Sequence, residues 1–190
     1  MLAMQTQRRG DCLEPTRSLL IEDPISFLAE DHLRQRQICA MLGHIVDDAT
    51  PEFRSMGLSL AFLRHEFLLH NADERAGLFP LMIERCEPED EIELIISRVQ
   101  EDHEVAQDMA KHVCRALECI MEDDRLPNEE ERACIKRFVA KCQRYLIWEN
   151  AIILRLARAR LTQDDLSKLA RQMLLRRGLI EPAYTTPKDT

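Results

Sequence analysis

Glu74 and Glu149 each stand four residues after a side chain able to bind a metal, His70 in the first case and Tyr145 in the second. On a helix that spacing stacks both side chains on one face. These faces are otherwise apolar, where an uncompensated carboxylate costs several kcal/mol or is driven to protonate. His32 and His103 hold corresponding positions on two other helical faces. Imidazole and carboxylate together suit iron, manganese or zinc, and a carboxylate can bridge two ions between helices. The set His32, His70, Glu74, His103, Tyr145 and Glu149 therefore reads as a cation site. The plainer alternative is a group of hydrogen-bonded core residues.

The elements that must position them are marked by proline and capping side chains. Helix starts are expected at Asp23-Pro24, Thr50-Pro51, Glu87-Pro88 and Pro127-Asn128. A fifth, at Thr162 to Asp165, has the spacing of a capping box, and Gly178 after Arg176-Arg177 suits a helix end. The helices are predicted at about 24–46, 52–85, 89–121, 129–161 and 163–177. The expected architecture is all-α: an up-down-up-down four-helix bundle with a short fifth C-terminal helix, over 23–178. Residues 1–22 are expected as an N-terminal arm and 179–190 as a C-terminal tail.

Each long helix carries one inward seam. The first runs Leu28, His32, Gln35, Cys39, Leu42, and the second Leu60, Leu63, Phe67, His70, Glu74, Leu78, Leu81. The third runs Ile92, Ile96, Val99, His103, Ala106, Ala110, Val113, Leu117, and the fourth Ile135, Phe138, Cys142, Tyr145, Glu149, Ile152, Leu156. Counted at about 1.5 Å per residue from the connecting turns, the polar members of all four seams fall in one layer. Glu66 and Gln107 border that layer as candidates to orient a ligand, with Gln35 a weaker one. His44 and His112 fall off the seams, His65 points away from His70, and Trp148 is expected to pack rather than react.

Composition narrows the function classes. The 34 acidic against 26 basic residues, a net charge of -8, argue against nucleic acid as a partner. No apolar run approaches the roughly 18 residues of a membrane span, and no signal-peptide pattern follows Arg8-Arg9. Seven cysteines without a Cys-x-x-Cys pair suit a reduced interior, so a soluble cytoplasmic protein is expected. No Gly-rich phosphate loop and no Ser/His/Asp or Cys/His arrangement stands out on the seams.

His70-Asn71-Ala72-Asp73-Glu74 followed by Leu78-Phe79-Pro80 resembles the second-helix signature of hemerythrin-like, HHE cation-binding domains. Asp31-His32, Asp102-His103 and Glu149-Asn150 are similar to the single-histidine and Glu-Asn positions of that family, and Leu161 to Gly178 to the segment that often follows. The resemblance spans about residues 24–178 and implies a non-haem iron centre, usually di-iron, that binds O2, NO or iron itself for sensing or storage. Three features depart from the family. Tyr145 stands at a histidine position, Ile153-Leu154-Arg155 replaces a second Leu-Phe-Pro, and Gln107 stands where oxygen carriers place another histidine. Tyr145 can act as a phenolate ligand of ferric iron, as a neutral hydrogen-bonding phenol, or as core filling. Other functions stay open beside the sensor. The same site could decompose peroxide as a di-iron enzyme, hold a single ion or another divalent metal, or be empty in a degenerate interaction module or homodimer.

Overall fold

The computed structural model describes residues 14–48, 50 and 52–181. Among them the chain is all-helical, with five α-helices and no strand. Helix α1 is Pro24–Asp47, where the Asp23 carboxylate accepts from the Ser26 N–H at 3.1 Å and proline takes the first helical position. Helix α2 covers 53–85; Pro51, placed at its expected start, lies outside the described residues. Helix α3 is Ile92–Glu122, preceded by a short turn at Pro88–Asp90 and by Glu91 in the left-handed region at φ 49°. Helix α4 covers 129–160, and α5 is Gln163–Arg176. Capping boxes join Asn128 to Glu131 and Thr162 to Asp165. Gly178, at φ 64°, ends α5: its N–H bonds the Leu175 carbonyl, and that of Leu179 the Leu174 carbonyl.

Two long helices are not wound regularly. In α2, Phe62–Glu66 and Glu74–Leu78 are π-helical turns; in α4, Glu149–Ile153 is another. In each, the N–H of the next residue reaches back five positions, as Phe79 does to the Glu74 carbonyl and Leu154 to that of Glu149. Helical backbone angles continue through every junction. Pro80, which has no N–H to donate, follows directly after the second π turn and restarts regular winding there. Each turn inserts one residue, so the inward face slips by one position beyond it. The expected seam is corrected accordingly. Met82 is buried rather than Leu81, Ser59 rather than Leu60, Ile153 rather than Ile152, and Ala157 rather than Leu156.

Ion pairs tie the helices to one another, and the two between α2 and α3 run in opposite sequence order. Arg34 meets Glu66; Arg64 meets Glu118 while Arg75 meets Glu104; Arg125 meets Glu131 while Lys141 and Arg144 meet Asp102; and Asp47 meets Lys136. Arg34 is buried, but the exposed pairs among these add at most about 1 kcal/mol each and report register more than stability. The stability comes from two separate apolar clusters. One gathers Ile38, Leu42, Phe67, Val113, Phe138 and Leu146; the other gathers Leu28, Leu78, Phe79, Val99, Ile153 and Leu169. Burying each such side chain is worth roughly 1.5–3 kcal/mol.

Helix α5 closes the second cluster with Leu169 and Met173. Asp73 is fully buried and binds Arg176 at 2.8 Å and Arg177 at 2.7 Å, while Arg85 binds Asp165 at 2.8 Å. Gly77 permits the close approach, since a Cβ there would lie 2.7 Å from Leu169 Cδ1. The expected arm up to residue 22 is shorter than that: Ser18–Glu22 forms a 3₁₀ turn, and Ile21 is 1% exposed against the second cluster. Residues 1–13 of the arm and 182–190 of the tail lie outside the described residues. No helix among the described residues is long and apolar enough to cross a membrane. Among the described residues Cys39 and Cys142 are buried free thiols, Cys86, Cys114 and Cys134 are half-buried, and Cys119 is exposed; Cys12 lies outside.

Candidate metal centre

The two apolar clusters are separated by a polar layer. Along α1 the order is Leu28, His32, Gln35, Ile38; along α2, Phe67, His70, Glu74, Leu78; along α3, Val99, His103, Ala106; and along α4, Leu146, Glu149, Ile153. Each helix thus crosses from one cluster to the other at the same level. The side chains of His32, Glu74 and Glu149 are fully buried, and His70 is 2% exposed. One ligand atom from each of these four lies within 4.8 Å of all the others, a group that could hold a metal ion.

The separations favour a shared cation over direct bonding. His32 Nε2 stands 3.4 Å from Glu74 Oε1 and 3.4 Å from Glu149 Oε2, and His70 Nε2 is 3.5 Å from Glu74 Oε2. Two ligands that bind one ion at about 2.1 Å lie roughly 3.0–3.4 Å apart. Neither ring nitrogen of His32 or His70, neither oxygen of Glu74, and not Glu149 Oε2 has a hydrogen-bond partner. Five of these atoms, His32 Nε2, His70 Nε2, both Glu74 oxygens and Glu149 Oε2, face one another at 3.4–3.5 Å in one buried layer, where polar groups are nearly always bonded and a cation would satisfy them together.

His103, 4% exposed, sits at the edge of the group. Its Nε2 is 2.7 Å from Glu149 Oε1 and 3.7 Å from Glu74 Oε2, so both carboxylates lie between it and the other two histidines. Tyr145 is fully buried with its ring edge-on to His103 at 4.7 Å. Its hydroxyl accepts from Gln35 Nε2 and donates to Cys142 Sγ at 3.4 Å. Burial, with Cys142 and Glu149 adding to it, pushes the phenol well above its ordinary 10.

Without an ion, the carboxylates of this layer favour protons on the histidines. Burial works against a charged His70, but Glu74 and Asp31 outweigh it and raise its pKa to about 10. Burial opposes ionisation of Glu74, but His70 and His32 hold its carboxyl below the ordinary range. His103 is raised too, with Glu149 overcoming burial.

The π turns carry the carboxylates: Glu74 and Glu149 are each the first residue of one. Irregular turns of this kind recur at functional sites. Asn150 donates its side-chain amide to the Leu146 carbonyl at 2.7 Å, satisfying backbone beside Glu149.

The outer residues are arranged differently from expectation. Glu66 is engaged through both oxygens by Arg34 instead of by a ligand. Gln107 is half-buried one turn beyond His103, and Gln35 serves Tyr145. Asp31, not among the expected ligands, lies 3.4 Å from His70 Nδ1 and is 8% exposed. The signal available in sequence was its place one position before His32, on the helix that faces His70. His44, His65 and His112 are exposed, and Trp148 is 42% exposed on the surface instead of packing inward.

A carboxylate on the far nitrogen of a ligand histidine fixes the ring and raises its basicity. Asp31→Asn is therefore expected to weaken metal affinity by roughly 10–100-fold with helix content unchanged, measured by chelator competition. Unchanged affinity would remove Asp31 from the centre.

Compared with known proteins, the chain matches no protein-family model and no curated protein closely enough to count as a relative.

Proposed function

We propose that the chain is a non-haem iron-binding protein of hemerythrin-like type, an up-down-up-down four-helix bundle that binds or senses O2, NO or iron. The bundle is supported by pairs of contacts in opposed sequence order: Asp31–His70 and Arg34–Glu66 between α1 and α2, Arg64–Glu118 and Arg75–Glu104 between α2 and α3, and His32–Glu149 and Asp47–Lys136 between α1 and α4. The unpaired buried atoms His32 Nε2, His70 Nε2, Glu74 Oε1 and Oε2, and Glu149 Oε2 carry the metal assignment. These four residues would hold one ion, and a second would be held by His103 with Glu74 and Glu149 once His103 exchanged its 2.7 Å hydrogen bond to Glu149 for the metal. Iron would supply a reversible change of oxidation state and an open position for a small ligand.

The protein's own groups have separate tasks. The two carboxylates offset the positive charge and link the histidines, while Asp31 faces His70 Nδ1 at 3.4 Å, close enough to take up its proton when the ring binds metal. Tyr145 acts as a neutral phenol, because Gln35 and Cys142 already take up its hydroxyl. The apolar clusters above and below exclude water. The free thiols suit a cytoplasmic setting.

Protonated histidines provide the competing compensation, in a metal-free interaction module. Against it, the carboxylates and His32 and His70 stand too far apart for good hydrogen bonds, which a proton-balanced network would form. Metal analysis of the purified protein with an absorption spectrum separates the two. About two irons per chain with a near-ultraviolet oxo-bridge band supports the di-iron proposal, and a visible phenolate-to-iron band would return Tyr145 to the ligand set. Colourless protein that takes up no added iron would overturn the proposal. Peroxide loss that disappears in Glu74→Ala would make the same centre an enzyme.

A further inference from the structure

Beside His103, at the junction of α2 and α3, lies a cavity of about 10 Å³ lined by Asn71, Arg75, Gln100, His103, Glu104 and Gln107. That volume is about the space one water molecule needs. Its buried members are Asn71 and His103, 1% and 4% exposed. Its outer members are Arg75 and Glu104, both more than half exposed and joined by an ion pair of 2.8 Å. Both amide atoms of Asn71, the nitrogen and the oxygen, lack a hydrogen-bond partner. An amide so buried is normally paired with protein or with ordered water. An amide that can both donate and accept, facing a space for one molecule, matches a water molecule in size and chemistry.

We propose that this cavity is a solvent-binding site in which Asn71 holds a water molecule beside His103, with the Arg75–Glu104 pair as its outer cover. The site brings exchangeable water to the edge of the metal centre while the four-residue group itself stays enclosed. A water at this position is also the one that an incoming small ligand would displace. The proposal rests on the metal reading, since the role of the water depends on an ion beyond His103.

Manganese(II), bound alone as a probe, tests it through water-proton relaxivity, which depends on how closely exchanging water approaches the ion. Asn71→Leu fills the cavity and is expected to reduce the relaxivity by at least about half at unchanged manganese content. Arg75→Ala, an exposed change that leaves the buried layers intact, is expected to shorten the residence time of the water, read from the field dependence of relaxivity. It keeps the test alive if Asn71→Leu does not fold. Full manganese content with relaxivity and residence time unaltered in the variants overturns this site and leaves the centre standing. Wild-type protein that binds no manganese and no iron overturns the centre, and this site with it.

Discussion

Glu74→Ala is expected to strip the centre of its metal, with affinity falling by more than about 100-fold, since loss of an outer partner alone costs 10–100-fold. The size follows from position. Glu74 oxygens stand 3.4 Å from His32, 3.5 Å from His70 and 3.7 Å from His103, so one carboxylate touches all three histidines. Its removal leaves those rings without a shared anion and leaves a gap in a fully buried layer. Glu66→Ala is the matched control, because that carboxylate serves Arg34 on the flank and its loss is expected to leave metal content unchanged. Chelator competition on both variants settles the comparison. Full metal content in Glu74→Ala would remove the carboxylate from the centre.

Withdrawing the metal is expected to lower the melting temperature substantially, and by more as pH rises. An ion that binds only the folded chain adds about 4 kcal/mol at a thousand times its dissociation constant. At 2–4 °C per kcal/mol for a domain of this size, the shift is on the order of 8–16 °C. The pH dependence follows from competition between ion and protons for the same atoms. In the metal-free protein His70 titrates near 10 instead of 6.5, so its proton stabilises the fold fully below 6.5, and that contribution is lost as pH rises towards 10. Glu74 is shifted the other way: its contribution is present above the ordinary 4.5 and disappears as pH falls through the depressed value. The metal-loaded protein holds no proton on His70 to lose. The gap between loaded and metal-free melting points should therefore widen from about pH 6.5 to 9, with affinity rising about tenfold per pH unit for each proton displaced. Calorimetric scans at three pH values with and without metal test this. A gap that is constant across them would show that ion and proton do not share His70.

Much of the helical layout was legible because its signals are local. Asp23-Pro24, Asn128 with Glu131, Thr162 with Asp165, and Gly178 act within one turn of where they stand. The layer of His32, His70, Glu74, His103 and Glu149 was legible for a similar reason, since short connections let positions be counted back from each turn. A count in regular helical steps does not register an inserted residue. The faces beyond each π turn were therefore misplaced by one, as Ile153 and Ala157 show. Contacts between distant helices were harder still. The Arg34–Glu66 pairing, the hold of Gln35 on Tyr145, and Asp31 against His70 all depend on how α1 lies on α2 and α4. Ile21 is buried only because α5 returns to cover it, which no local pattern announces.

The division of the interior into two apolar clusters bears on when the ion can arrive. Every one of the four long helices supplies residues to both clusters and one or more polar groups to the layer between them. A chain with fewer than four helices docked has no complete coordination sphere to offer. On the metal proposal, then, a complete site would exist only in a chain whose four helices have docked. Loading would then be a maturation step, paced by opening of the enclosed layer.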